Sequence, residues 1–405
     1  LVAFYRISDV MIFNKSIIFS HFKKEIHERG KIYDRNGVLL ASTIKNYSLA
    51  VNPREIQDND CFYTISTTLE KILGVSKYKI NKKFLQNKKF VWLKRNISPR
   101  EHQDIISLGK IGLRTEIENF RIYPLREITS HVVGFVNIDG NGLSGIEKGL
   151  ESKLSREKNI YLSIDSRLQN SIRNHLINTI KKYSADSGLA VVLDIKSGEI
   201  LSMNSFPDFD PNNNETFVYK NLFNKAIQGN YEMGSTFKPI TVAMALENNV
   251  IKTDTIIDVS KPIRIGKNVI KDFEPYEGSL DVKGIITKSS NIGIAKIAKK
   301  IGKTKQKKFL EKLGFYNKID LEIDETAHPL TNPYNWGKVE TMTIAYGHGF
   351  AITPLHLIQA YASITNHGYL VKPTLILKEE KLSKKEDSYF ANKIINKSTS
   401  DFFKK

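Results

Sequence analysis

The sequence runs to 405 residues, 40% hydrophobic and 26% charged, with a net charge of +18 and a single cysteine, Cys61. That length leaves room for two or three domains with real cores and excludes a small stapled scaffold, while one cysteine excludes an intrachain disulfide and a multi-cysteine zinc site. The basic residues are scattered, with no arginine-aromatic platform or recognition-helix pattern, so the surplus charge reads as a solvated surface, or as attraction to anionic lipid headgroups, and nucleic acid is not expected as a partner.

From the N-terminus, Leu1 to Phe13 is apolar but carries Arg6 and Asp9, and a bilayer-spanning helix needs about 20 apolar residues. No complete span is therefore expected in this stretch. Lys31–Asp34 and Val38–Leu40 flank Arg35-Asn36-Gly37 and predict a hairpin, because Asn-Gly readily supplies a positive φ. Helical apolar spacing follows from Cys61 to about Ser107, then short strand-like pieces at Tyr123-Pro124 and His131–Val136, then a glycine-rich turn over Asp139–Gly145. Tyr161–Asp165 alternates like a strand, and Leu168, Ile172 and Leu176 predict a helix over about 166–183. Leu189–Leu193 and Glu199–Met203 predict a second hairpin around Lys196-Ser197-Gly198. Helical patterns then extend to about Gly314, with a later strand over Tyr369–Ile376. Strands, several helices and a late strand predict an α+β chain in which a sheet is covered by helices.

Two motifs carry chemistry. In Gly234-Ser235-Thr236-Phe237-Lys238, Phe237, Ile240 and Met244 mark one helical face, which places Ser235 at a helix start. A hydroxyl needs a base to become a nucleophile, and the Lys238 amine lies about one turn away on the same face. The free first-turn amides favour a developing oxyanion, and Pro239 is tolerable only in a first turn. Alone, Ser-x-x-Lys is a weak signal in a lysine-rich chain, where it usually marks a capping serine and a solvated lysine. Lys288-Ser289-Ser290-Asn291 follows about 50 residues later between two helical patterns. There Ser289 can relay a proton, and the Asn291 amide can hold both a carbonyl and an N–H. The bland alternative is a helix cap at Asn291.

This pair of motifs resembles the signature of penicillin-recognising serine enzymes, and the resemblance spans the chain from about residue 28. Arg29-Gly30-Lys31-Ile32-Tyr33-Asp34-Arg35-Asn36-Gly37 is similar to the opening motif of the class B penicillin-binding protein pedestal, and Gly145-Ile146-Glu147 to its later Gly-Ile-Glu element. Tyr346-Gly347-His348-Gly349, followed by Thr353-Pro354-Leu355, resembles the segment before the last motif in division-specific members. That last motif, Lys-Thr-Gly or Lys-Ser-Gly, should follow Thr353-Pro354-Leu355 but does not occur before Lys405. Lys196-Ser197-Gly198 precedes the nucleophile and Gly302-Lys303-Thr304 is followed by Lys305, so neither replaces it.

The resemblance implies an α+β multidomain protein: residues 1–27 as the remnant of a membrane-proximal segment, a pedestal or dimerisation-like domain over 28–157, and a transpeptidase domain over 158–405. The latter would set helices on an antiparallel sheet and be incomplete at the C-terminus. It implies a serine D,D-transpeptidase that cross-links peptidoglycan in septal wall synthesis. Ser235, Lys238 and Ser289 would be catalytic, Asn291 would bind substrate, and no metal or cofactor would be needed. Implied partners are D-Ala-D-Ala-terminated stem peptides, β-lactams, a septal glycosyltransferase and divisome membrane proteins. The implied location is the inner membrane, through an N-terminal anchor missing from this chain, with the catalytic domain in the periplasm. A β-lactamase or penicillin sensor, a non-catalytic scaffold and a nucleic-acid binder stand as alternatives, in that order.

Overall fold

The computed structural model describes residues 28–57, 62–110, 112–330, 336–378 and 392–404. The proposed membrane-proximal segment 1–27, Cys61 and Lys405 lie outside them. Two compact units interleave along the chain. Besides the N-terminal stretch, the first comprises Thr43–Phe120 and Ser155–Glu157; the second comprises Gly30–Ser42, Arg121–Leu154 and Lys158–Lys405. A single cut at 157/158 therefore does not separate them.

The expected first hairpin is present as β1 (Ile32–Tyr33) and the start of β2 (Leu39–Val51), with Ile32 opposite Ala41 and Tyr33 opposite Leu39. Asp34 organises its turn: Oδ1 accepts the amides of Asn36 and Val38, both at 2.8 Å, and Gly37 takes φ +81°. The other oxygen, Oδ2, accepts both the amide and the hydroxyl of Ser166.

In the first unit, the rest of β2 pairs antiparallel with β3 (Val91–Ile97), and β4 (Leu113–Ile122) is also hydrogen-bonded to β2. Against them lie α1 (Phe62–Leu73), α2 (Lys77–Phe84) and α3 (Pro99–Leu108). Ser98-Pro99-Arg100-Glu101 starts α3 with a reciprocal cap: the Ser98 hydroxyl accepts the Glu101 amide and the Glu101 carboxylate accepts the Ser98 amide. Leu49, Val51, Leu69, Phe84, Leu93 and Ile97 form the buried core of this unit.

In the second unit, β5 (Ile160–Tyr161) runs parallel to β1. The helix expected over 166–183 is α4 (Ser166–Lys182), capped by Asp165, and it packs on the antiparallel pair β6 (Gly188–Leu193) and β7 (Ile200–Phe206). Gln169 of α4 stitches the two layers, bonding both the N–H and the C=O of Met203 at 2.9 Å. Under Gly145-Ile146-Glu147 lies an ion pair shielded from water, Arg121 Nε to Glu147 Oε1 at 2.7 Å, with the side chains 2% and 0% exposed.

Three expected strands differ, the one over Tyr161–Asp165 being reduced to the end of β5 and a bridge at Leu162. Residues 131–133 belong to a short helix, Ser130–Val133, whose Val132 and Val133 are driven into the core; burial overrides the strand preference of β-branched residues. Tyr369–Ile376 forms only isolated bridges, at Tyr369, Thr374 and Ile376, because Pro373 cannot donate to a ladder.

The helical layer is centred on α5 (Lys238–Glu247), in which Ile240 and Val242–Ala245 are all 0% exposed. A helix apolar on every side belongs in the middle of a core. α6 (Asn291–Ile301) and α8 (Pro354–Thr365) pack against it, and α7 (Lys338–Ile344) packs on α6.

Candidate active site

Ser235 lies in a single 3₁₀ turn, Gly234–Phe237, that runs directly into α5. The sequence pattern predicts an α-helical start; the first turn is instead 3₁₀, entered through Gly234 at φ +53°. A 3₁₀ turn eclipses positions i and i+3, so Ser235 and Lys238 still share a face. Ser235 is exposed, whereas Lys238 is 1% exposed.

Three contacts fix the turn. The Gly234 amide donates to Gly347 O at 3.2 Å, and the Tyr361 hydroxyl on α8 donates to Thr236 O at 2.7 Å. In addition, β8 (Tyr231–Glu232), just before the turn, pairs antiparallel with β9 (Ala351–Ile352). Glu232 reinforces that pairing, accepting the Gly349 amide at 2.7 Å and meeting His348 Nδ1 at 3.1 Å. The Gly349 amide and then His348 hold its carboxyl below the usual range. The Tyr346–Gly349 segment thus braces the candidate nucleophile's turn.

Lys238 and Ser289 are brought together. Lys238 Nζ donates to the Ser289 hydroxyl at 2.8 Å and to the Ser289 carbonyl. Among the described residues, no hydrogen bond joins the Ser235 hydroxyl to Lys238. Burial pulls the Lys238 amine down from 10.5 to about 8, partly offset by the charge of Asp272. At pH 7 roughly one molecule in ten would then carry the neutral amine, a usable base.

Ser289 sits at φ +53°, a conformation that costs a non-glycine residue about 1–2 kcal/mol. The helix cap after it is Ser290, whose hydroxyl accepts the Gly293 amide at 2.9 Å. Asn291 is therefore the first residue of α6 and not the cap; it is half-buried and its Nδ2 donates to Lys271 O at 3.1 Å. The structure thus joins Lys238 directly to Ser289, sets Ser235 one turn ahead, and places Asn291 two residues beyond Ser289. Sequence reasoning misses Ser290, Asp272 and Glu232. Of these only Ser290 carries a local signal, a serine immediately before a helical pattern. No group of three or more His, Cys, Asp or Glu among the described residues could hold a metal ion.

Two family models cover this architecture in chain order: the penicillin-binding protein dimerisation domain over residues 25–193 and the penicillin-binding protein transpeptidase domain over residues 188–404. The chain belongs to the class B penicillin-binding proteins. It is 33% identical, over 87% of its length, to the peptidoglycan D,D-transpeptidase FtsI of Buchnera aphidicola subsp. Schizaphis graminum, covering 67% of that protein. It is 32% identical, over 86% of its length, to the probable peptidoglycan D,D-transpeptidase FtsI of Caulobacter vibrioides, covering 59% of it. To FtsI of Escherichia coli K12 it is 29% identical over 86% of its length, covering 64%. The chain thus spans about three-fifths to two-thirds of these relatives.

Proposed function

We propose that this chain carries the acylation machinery of a serine D,D-transpeptidase acting on peptidoglycan stem peptides and trapped by β-lactams. The observation that carries the reading is the buried Lys238 ammonium seated on Ser289, one turn after an exposed serine at the head of a buried helix.

In the proposed cycle, neutral Lys238 takes the proton of Ser235 as its oxygen attacks the penultimate D-Ala carbonyl, and first-turn amides stabilise the oxyanion. The carbon–nitrogen bond then breaks. Ser289 passes the proton from Lys238 to the departing D-Ala amine, leaving an ester on Ser235, while Asn291 aligns the peptide. An amine from a neighbouring stem peptide attacks the ester, gives up its proton through the same relay and releases Ser235. With a β-lactam the broken amide remains tethered in the product, so the ester persists.

The FtsI relatives and the Tyr346–Gly349 segment favour a septal role, with membrane tethering, a periplasmic active site, and a septal glycosyltransferase and divisome membrane proteins as partners. Fluorescent penicillin should label Ser235 in the full-length protein, or in this chain extended with the C-terminal portion of a relative; equal labelling after Ser235→Ala defeats the reading. Depletion in cells should give filaments, and rounded cells would reassign the protein to elongation.

A further inference from the structure

We infer that Asp272 is a positioning residue for the Lys238–Ser289 pair: its carboxylate fastens the Ser289–Asn291 loop and sets a negative charge within electrostatic reach of the lysine. The inference rests on the roles proposed above for Ser235, Lys238 and Ser289.

Asp272 follows the small hairpin formed by Ile263–Ile265 and Asn268–Ile270 and is 8% exposed. Both of its carboxylate oxygens are engaged: Oδ2 accepts the Ser290 hydroxyl at 2.7 Å and Oδ1 accepts the Ile292 amide at 2.9 Å. Because the Ser290 hydroxyl in turn accepts the Gly293 amide, the carboxylate completes a two-layer cap on α6, where negative charge is favoured. The preceding residue contributes its carbonyl to Asn291. Lys271 and Asp272 together therefore hold the residues that follow Ser289, the Ser289 amide donates to Ile286 O at 3.0 Å on the preceding side, and the left-handed backbone of Ser289 is held between the two.

The same charge acts on Lys238. Other ionisable groups on the elements packed around α5 are Lys283 and Lys288 before the loop, Lys296, Lys299 and Lys300 on α6, His356 and Tyr361 on α8, and Lys397 and Asp401 at the C-terminal helix. Asp272 is the charge that opposes the desolvation of the lysine. Without it, the amine would be neutral more of the time but a weaker proton acceptor, and a general base works best with its pKa near the working pH.

Asp272→Asn separates charge from shape, since the amide can keep an acceptor toward Ile292 and place its NH₂ against the Ser290 oxygen. Lys238 should be titrated by NMR in protein carrying ¹³Cε-labelled lysine, with its signal assigned by loss in Lys238→Arg. The acid limb of penicillin acylation at Ser235 is the parallel readout. In Asp272→Asn the proton affinity of Lys238 should fall about tenfold, and the acid limb should move to lower pH with it; a structural role alone would lower the rate without moving the limb. Asp272→Glu, which keeps the charge and disturbs the cap, should titrate within about threefold of the parent. An unmoved titration in Asp272→Asn, or a tenfold change in Asp272→Glu, overturns the inference. A shifted titration in a protein whose parent never labels at Ser235 would sustain it and defeat the transpeptidase reading instead.

Discussion

Gly347→Ala should cripple acylation out of proportion to its effect on stability. Gly347 has φ +81°, and a Cβ built there would lie 2.3 Å from Gly234 O and 2.4 Å from Gly234 N, where ordinary contact begins at 3.4 Å. The two backbones must separate by about 1 Å, and the Gly234 to Gly347 hydrogen bond must lengthen or break. Left-handed strain of about 1–2 kcal/mol and a lost hydrogen bond of about 1 kcal/mol sum to about 2–3 kcal/mol of stability. Gly234 immediately precedes Ser235, and a displacement of about 1 Å at a reacting group can cost about 10² in rate. The control is Gly349→Ala: its φ is +78°, but the nearest atom to its Cβ is Thr343 Oγ1 at 3.8 Å. It should show the strain of about 1–2 kcal/mol in urea unfolding while acylation by fluorescent penicillin stays within about threefold of the parent. Equal acylation losses in the two variants, or acylation within threefold for Gly347→Ala, would refute the argument that this contact positions the nucleophile.

Lys238→Arg should lower acylation by about 10³-fold, because guanidinium cannot accept a proton. In the parent, the rate should climb about tenfold per pH unit and level off near 8, the value to which burial lowers the lysine. Since the folded protein binds this proton more weakly than the unfolded chain, Lys238 lowers stability by roughly 3 kcal/mol below pH 8, a penalty relieved as pH rises from about 8 toward 10.5. An acylation rate in Lys238→Arg within threefold of the parent, or a flat pH–rate profile from about pH 6 to about pH 9, would exclude the lysine as base. Glu147→Gln leaves the nearly inaccessible Arg121 guanidinium without its carboxylate and should cost about 3 kcal/mol in urea unfolding; a loss below about 1 kcal/mol would mean that the pair is replaceable.

What the sequence discloses divides by the range of the interaction that specifies it. The 34–37 turn, α4 and the Ser235–Lys238 spacing are legible because Asn-Gly chemistry, apolar periodicity and i,i+3 geometry act within a few residues. β4 is hidden by its charges, Arg114, Glu116, Glu118 and Arg121, which make a half-exposed strand resemble a loop. The helix at Ser130–Val133 is set by burial, which its own residues do not announce. Asp272 is equally silent, since the groups it binds lie 18 and 20 residues further along. Glu232 meets its partners 116 and 117 residues away.

The interleaving of the two units bears on the order in which the chain matures during synthesis. Thr43–Phe120 can complete a core from its own neighbourhood as soon as it emerges. Ile32, Leu40, Val132, Val133 and Ile146, although earlier than or close behind it, find their partners in Leu162, Ile200, Met203, Leu355 and Leu375. Leu162, Ile200 and Met203 follow soon, but the cover is complete only with Leu355 and Leu375, after more than half of the polypeptide has followed. The second unit is therefore the late and aggregation-exposed stage, and any fragment begun at residue 158 would be born without the N-terminal contribution to its own interior.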